Sequence, residues 1–328
     1  MKRVLAIAAT GITTLALRRA LSTRAVLRDV DPELRTPMLA LTSFSFTPRT
    51  LPLLRAVMRR KTDPGTGVAV TEYHVGEPAA RVLVTTPLGP DGPRPAVLWI
   101  HGGGMITGSP QFEAGGSGRL ARELGVVVVS PSYRLAPEHP FPAALDDCMT
   151  TLTWMRTNAV ELGIDPDRIT VMGASAGGGL SAAVAQRSHD EGIALRAQVL
   201  VYPMLDDRTA LTTDHGGRGR FAWTPSSNRF GWTSYLGRKP RLPDAPQYAA
   251  PARRTDLAGL PPAWIGVGEL DLFYPEDVDY AGNLTAAGVP CTLVTVPGMY
   301  HGADGVASKA ASMKAFRRSM IEHLRTHL

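Results

Sequence analysis

Residues 169–180 read Ile-Thr-Val-Met-Gly-Ala-Ser-Ala-Gly-Gly-Gly-Leu. This stretch decides the fold: a β-branched run, a glycine-bounded turn holding one serine, and then the start of a helix. Gly173, Ser175 and Gly177 have the G-x-S-x-G spacing of a nucleophile elbow, a sharp strand-to-helix turn that exposes the serine hydroxyl at the carboxyl end of a sheet. The two glycines let strand and helix pass closely where a side chain would collide. The backbone N–H of Ala176, in the first helical turn, faces whatever Ser175 attacks and carries the positive end of the helix dipole. A chance match in a flexible loop is the competing explanation in a chain with 33 glycines. The strand-like run before the motif, and Leu180, Ala183 and Val184 continuing it as a helix, argue against that. A phosphate-binding loop is excluded, because no Gly-Lys-Ser/Thr ending follows and no G-x-G-x-x-G opens a first strand–helix unit.

Upstream, Val68 to Val75 and Arg81 to Thr86 read as an antiparallel pair at a sheet edge. Ala96 to Ile100 is a continuous apolar run suited to a strand covered on both faces. It ends in His101-Gly102-Gly103-Gly104, and three glycines directly after a buried strand make sense where backbone must approach a ligand. Gly103 and Gly104 can turn their N–H groups toward the oxygen that becomes negative when Ser175 attacks a carbonyl. With Ala176 they form a three-donor oxyanion hole. His101 reads as a side chain that pins this loop. Arg119 to Leu124 is a helix and Val126 to Ser130 another buried strand. Ser132-Tyr133-Arg134-Leu135-Ala136-Pro137-Glu138 follows, with Arg134 and Glu138 expected as a packing ion pair. Pro142 to Asn158 is a helix.

H-G-G-G, Y-R-L-A-P-E and G-x-S-A-G-G, in this order, resemble the hormone-sensitive-lipase group of α/β-hydrolases, the bacterial type IV carboxylesterases, over roughly residues 65 to 328. The resemblance implies an α/β-hydrolase fold: a mostly parallel eight-stranded central sheet flanked by helices, with a helical cap. One departure is Ala174, where the family usually carries an acidic residue before the serine.

In such a fold the acid follows the strand two after the elbow strand, and the histidine follows the last strand. The strands here are Ala197 to Pro203, Ala263 to Val267 and Cys291 to Val296. Asp271 and His301 occupy the two positions. Glu269 competes for the acid role, and Asp271 is preferred because Gly-Glu-Leu-Asp resembles the family's acid loop. Thr209 to Ala250 lacks regular periodicity and holds Phe221, Trp223, Phe230, Trp232 and Tyr235, which suits a lid or binding loop; core packing of Trp232 and Tyr235 is equally compatible. The final helix runs from about Ala307 to Thr326.

The chain has 328 residues, 44% of them hydrophobic, which is enough for one catalytic domain with an added cap. The expected division is a basic helical arm and part of the cap over residues 1–61, then the catalytic domain over 62–328 with a cap insertion at about 206–250. Residues 1–61 hold 12 Lys/Arg against 3 Asp/Glu, so the arm carries +9 of a net +6 and the remainder is −3. Basicity therefore belongs to the arm, and no nucleic-acid motif accompanies it. A solvated helical face is one reading of the arm, and contact with an anionic membrane surface is the other. Val4 to Leu17 after Lys2 and Arg3 resembles a signal peptide, but Arg18 and Arg19 sit where a cleavage region should be neutral. The run is also too short and threonine-rich to span a bilayer. Cys148 and Cys291 suit buried reduced thiols, and no zinc-type spacing exists.

The expected activity is hydrolysis of carboxylic esters with short to medium acyl chains through an acyl-enzyme, with Ser175, Asp271 and His301 as catalytic triad. No cofactor or metal is expected. The expected partner is a small-molecule ester, with no nucleic acid. The expected setting is a cytoplasmic monomer or homodimer, with peripheral membrane contact through the arm as a variant. The alternatives are an amide or lipid-ester hydrolase, or a non-catalytic small-molecule binder on the same fold, which would lack the histidine.

Overall fold

The computed structural model describes residues 27–36, 39, 45–89 and 92–328. The signal-like run and most of the basic arm, residues 1–26, lie outside the described residues. Eight strands form one sheet: β1 (Val68–Val75), β2 (Ala80–Pro87), β3 (Arg94–Ile100), β4 (Val127–Ser132), β5 (Ile164–Ala174), β6 (Gln198–Val201), β7 (Ala263–Gly268) and β8 (Cys291–Val296). Their spatial order is β1-β2-β4-β3-β5-β6-β7-β8. β2 pairs antiparallel with both β1 and β4, and every other pairing is parallel. The helices are α1 (Leu51–Met58), α2 (Ala114–Leu124), α3 (Ala143–Thr157), α4 (Ala159–Leu162), α5 (Ala176–Asp190), α6 (Pro225–Leu236), α7 (Tyr274–Ala286), α8 (Ala303–Val306) and α9 (Ala311–His327).

The uninterrupted apolar runs of the central strands follow from burial on both faces. Val97, Val128, Met172 and Val199 point to one side, packed with Leu120 and Ala121 of α2 and Phe316, Ile321 and Leu324 of α9. Leu98, Val129 and Val171 point to the other, packed with Leu145 and Leu152 of α3 and Leu180 and Val184 of α5. This alternation is the period of two expected of a strand. Each such aliphatic side chain contributes about 1.5–3 kcal/mol relative to exposure. The covered sheet is therefore a stiff base for whatever projects from its carboxyl edge.

Three helices depart from the sequence reading, one of them α9, which begins at Ala311 rather than at about Ala307. α2 begins at Ala114, five residues before the expected Arg119, because the glycines that obscure its first turn allow tight packing: a Cβ at Gly118 would lie 2.0 Å from the Pro64 carbonyl oxygen. The stretch expected to be irregular contains α6, whose start is capped by Thr224, its side chain accepting from the Ser227 N–H, with Pro225 in the first turn and left-handed Gly237 at the end. These are ordinary start and stop signals. Trp232 and Tyr235 of α6 are both buried core residues. The buried Asp207 carboxylate, paired with Arg253 Nε at 2.6 Å, fastens the beginning of this segment to residues that follow it.

The expected Arg134–Glu138 pair does not form. Arg134 instead forks onto Asp147 of α3, with Nη2 to Oδ1 at 2.9 Å, while Glu138 takes Arg55 of α1 at 2.7 Å. The intervening Ala136-Pro137 bond is cis, and the two side chains go to different helices. Cys148 is buried, whereas Cys291 is only partly so, and both are free thiols.

Candidate active site

Three chain segments far apart in sequence converge at the carboxyl edge of the sheet. Ser175 stands between β5 and α5 with φ 57° and ψ −123°. A non-glycine residue in this region is strained and persists only where its surroundings hold it. Its N–H donates to Val201 O at 2.9 Å, and its carbonyl accepts from Gly179 N and Met204 N, each at 3.0 Å. The side chain is left to face His301, whose Nε2 lies 3.0 Å from Ser175 Oγ. His301 Nδ1 lies 2.7 Å from Asp271 Oδ2, and the other oxygen, Asp271 Oδ1, accepts the Phe273 N–H at 3.0 Å. Both carboxylate oxygens are thus occupied. A proton on Nδ1, assigned from its carboxylate partner, leaves Nε2 as the acceptor for the hydroxyl. The rings of Tyr202 and Phe273 meet the imidazole edge-on at 4.7 and 5.4 Å and confine its rotation. Asp271 is fully buried, and Ser175 and His301 are 7% and 8% exposed, so the hydroxyl works in a largely dry setting.

Gly103 and Gly104 follow β3 with φ values of 118° and 62°. A Cβ would fall 2.2 Å from Thr107 O at Gly103 and 2.1 Å from Trp223 Cη2 at Gly104, so only glycine fits either place. Their N–H groups, like that of Ala176, make no hydrogen bond among the described residues. Such donors can serve an oxygen at the reacting centre. Residues 45–61 and the 206–250 segment meet at this turn: Trp223 packs on Gly104, and Phe46 lies against Trp223 at 5.3 Å. Arg55 of α1 donates from Nε to Ile106 O at 2.8 Å, next to the same turn.

His101 does not join the constellation. It is 1% exposed, stacks on Tyr133 at 4.1 Å, and lies with Nδ1 2.8 Å from Gly102 O. Burial lowers its pKa to about 4, so it is a neutral loop pin at ordinary pH. Glu269 stays out as well: its backbone is tied to Val296 O, and no side-chain bond to His301 exists. Ala174 packs its methyl group on the core face covered by α2 and α9. Tyr202, which shapes the surroundings of the imidazole, carries no local sequence signal, and Trp223, at the glycine turn, stands out only as one aromatic of the segment expected to be a lid or binding loop. Each owes its place to the meeting of distant segments. No group of three or more metal-ligating side chains occurs among the described residues.

A buried acid beside the site gives a measurable consequence. Asp277 of α7 is fully buried, and neither carboxylate oxygen has a hydrogen-bond partner among the described residues. Burial, reinforced by the charges of Glu276 and Asp271, pushes its carboxyl well above the usual aspartate range. A raised folded value favours the protonated form, so its stabilising contribution is complete below the unfolded value near 3.9 and is lost as pH rises through the folded one. Asp277→Asn should therefore match wild type in urea midpoint at about pH 4, yet be more stable by about 1 kcal/mol or more at about pH 8. Equal midpoints at the higher pH would contradict this.

No helix among the described residues is long and apolar enough to cross a membrane. A family model described as the alpha/beta hydrolase fold matches residues 97–304. Carboxylesterase NlhH of Mycobacterium tuberculosis is 40% identical over 217 residues, covering 63% of this chain and 66% of that protein, just under two thirds of its length. The ethyl acetate hydrolase of Pseudomonas putida is 33% identical, covering 71% and 73%. Among solved structures, a bacterial heroin esterase superposes with TM-score 0.84 at 35% identity, covering 92% of this chain and 99% of that one. Esterase LipW of Mycobacterium marinum does so with TM-score 0.80 at 33% identity, covering 92% and 96%. Fold, elbow geometry and these likenesses agree, and the chain belongs to the alpha/beta hydrolase family.

Proposed function

We propose that this protein is a serine hydrolase of carboxylic esters, with Ser175 as nucleophile, His301 as general base and acid, and Asp271 as the carboxylate that fixes the imidazole. One observation carries the reading: a single imidazole joined through Nε2 to the elbow serine and through Nδ1 to a fully buried carboxylate. His301 takes the Ser175 proton as Oγ attacks the ester carbonyl, and Asp271 stabilises the imidazolium without itself becoming protonated. The carbonyl oxygen, now negative, is received by the N–H groups of Gly103, Gly104 and Ala176. His301 returns the proton to the departing alcohol, and water then attacks the acyl-enzyme by the same route. The site residues described supply every proton transfer.

The substrates proposed are small esters with short to medium acyl chains. Trp223 and Phe46, packed against the Gly104 turn, support a bounded acyl site. The name of the Pseudomonas putida relative, an ethyl acetate hydrolase, supports a small acyl group. Residues 45–61 and 206–250 together are proposed as the cap that sets this limit. The test is labelling by a fluorophosphonate probe together with a series of p-nitrophenyl esters of increasing acyl length. Expected are stoichiometric modification of Ser175 and activity that falls from short and medium acyl chains to palmitoyl. A non-catalytic binder on the same fold would leave the probe unreacted.

A further inference from the structure

The peptide unit between His101 and Gly102 is held on both sides. Its carbonyl, His101 O, accepts the Tyr133 hydroxyl at 3.0 Å, and its N–H, on Gly102, donates to Glu113 Oε1 at 3.1 Å. The second carboxyl oxygen, Glu113 Oε2, receives the indole Nε1–H of Trp99 on β3 at 2.5 Å. Glu113 stands immediately before α2, at its N-cap position, yet its side chain makes no capping bond there. The carboxyl turns away from its own helix and toward the loop that carries Gly103 and Gly104. The orientation of the 101–102 peptide sets the direction in which the next two N–H groups leave the strand, because only the dihedrals at Gly102 and Gly103 intervene. Both are glycines, with little of their own to restrict those dihedrals. The next two carbonyls are tied within the loop, Gly102 O lying 2.8 Å from His101 Nδ1 and Gly103 O accepting the Ile106 and Thr107 N–H groups; a fixed acceptor on the Gly102 N–H supplies the restraint at the peptide from which both depart.

We infer that Glu113 is a positioning residue for ester hydrolysis, holding Gly102 so that the N–H groups of Gly103 and Gly104 are aimed before substrate arrives. This rests on the hydrolytic reading above. Preorganised donors act on the transition state rather than on ground-state binding, so the effect belongs in kcat. What the loop requires is an acceptor at Oε1. Desolvation pushes the Glu113 carboxyl up to about 6, the Trp99 and Gly102 bonds oppose this, and the nearby Asp304 charge adds to it. A neutral acceptor in the same place should therefore serve.

Three variants separate this role from packing, read with p-nitrophenyl acetate and with the rate of fluorophosphonate labelling. Glu113→Ala should lower kcat and the labelling rate by about tenfold to a hundredfold with KM within about twofold. Glu113→Gln, read in the Trp99→Phe background because its amide nitrogen would otherwise face the indole N–H, keeps a carbonyl oxygen for Gly102 and should stay within about threefold of wild type. Trp99→Phe removes the other donor and leaves the Gly102 bond, so its kcat should stay within about twofold. An unchanged kcat in Glu113→Ala overturns the inference, as does a loss in Glu113→Gln or Trp99→Phe as large as that in Glu113→Ala. Where Glu113→Ala gives no folded protein, Glu113→Met decides, since it keeps most of the side-chain volume and removes the acceptor for the Gly102 N–H: a lower kcat at constant KM supports the inference and an unchanged kcat overturns it. Wild-type protein that neither labels nor turns over defeats the hydrolytic reading itself. Labelling at equal rates in wild type and Glu113→Ala defeats only the positioning role.

Discussion

Ser175→Ala should lower kcat for p-nitrophenyl acetate by about 10⁴- to 10⁶-fold while leaving the circular dichroism spectrum and the urea midpoint close to wild type. The size follows from what one oxygen does. Oγ is the attacking atom, and without it His301 has no hydroxyl proton to take and Asp271 no imidazolium to stabilise, so the binding surface and the N–H donors of Gly103, Gly104 and Ala176 are what chiefly remain to act on water. The small structural effect follows from the environment. Ser175 holds its place through backbone bonds to Val201, Gly179 and Met204, which alanine keeps. Its side chain makes a single hydrogen bond, to His301. Alanine inherits the same positive φ, so no strain is added. Because the three side chains act as a unit, adding His301→Ala to Ser175→Ala should lower activity hardly further. A Ser175→Ala protein within about tenfold of wild type would remove the nucleophile from the proposal, whatever the distances suggest.

Much of this site is legible in the chain because its chemistry is written in local punctuation. Ser175 lies on a glycine-bounded turn after a β-branched run, Gly103 and Gly104 directly follow a buried strand, and His301 sits on a glycine-flanked loop after the last strand. Each of these features follows from a backbone constraint acting over a few residues, and the eight-stranded sheet is carried by the same apolar runs. Contacts between distant segments left no such trace. Trp223 meets Gly104 only because the segment before α6 folds back across the end of β3, and Glu113 reaches Gly102 from a helix whose opening glycines conceal its first turn. The Arg134 and Glu138 pairing failed for a related reason: nearness in sequence was outweighed by partners on α3 and α1. α6 is different, because Thr224, Pro225 and Gly237 mark its ends. Its aromatic, weakly periodic interior, buried rather than amphipathic, obscured those signals.

Gly177→Ala should be strongly destabilising, even though alanine is the better helix former. Position 177 lies in the first turn of α5, where exchanging glycine for alanine would by itself favour the helix by about 1 kcal/mol. Here the added carbon would sit 2.0 Å from Ile100 O and 2.6 Å from His101 O, both backbone atoms at the end of β3. No rotamer change can relieve that collision, since neither neighbour is a side chain. The helix must lift from the sheet, or the end of β3 must move and carry the Gly103–Gly104 turn with it. Overpacking a rigid interior typically costs about 1–3 kcal/mol, and contact with backbone belongs at or above the upper end, so a net loss of about 3 kcal/mol is expected in urea unfolding. Whatever folded protein remains should label slowly with a fluorophosphonate, because the same displacement moves both Ser175 and its oxyanion donors. Gly116 in α2 is the internal control: a Cβ there meets nothing within 4 Å. Gly116→Ala should therefore be neutral or stabilising by up to about 1 kcal/mol. If the two substitutions shift the midpoint equally, close approach of helix and strand is not what demands glycine at the elbow, and the explanation of the G-x-S-x-G spacing given above fails with it.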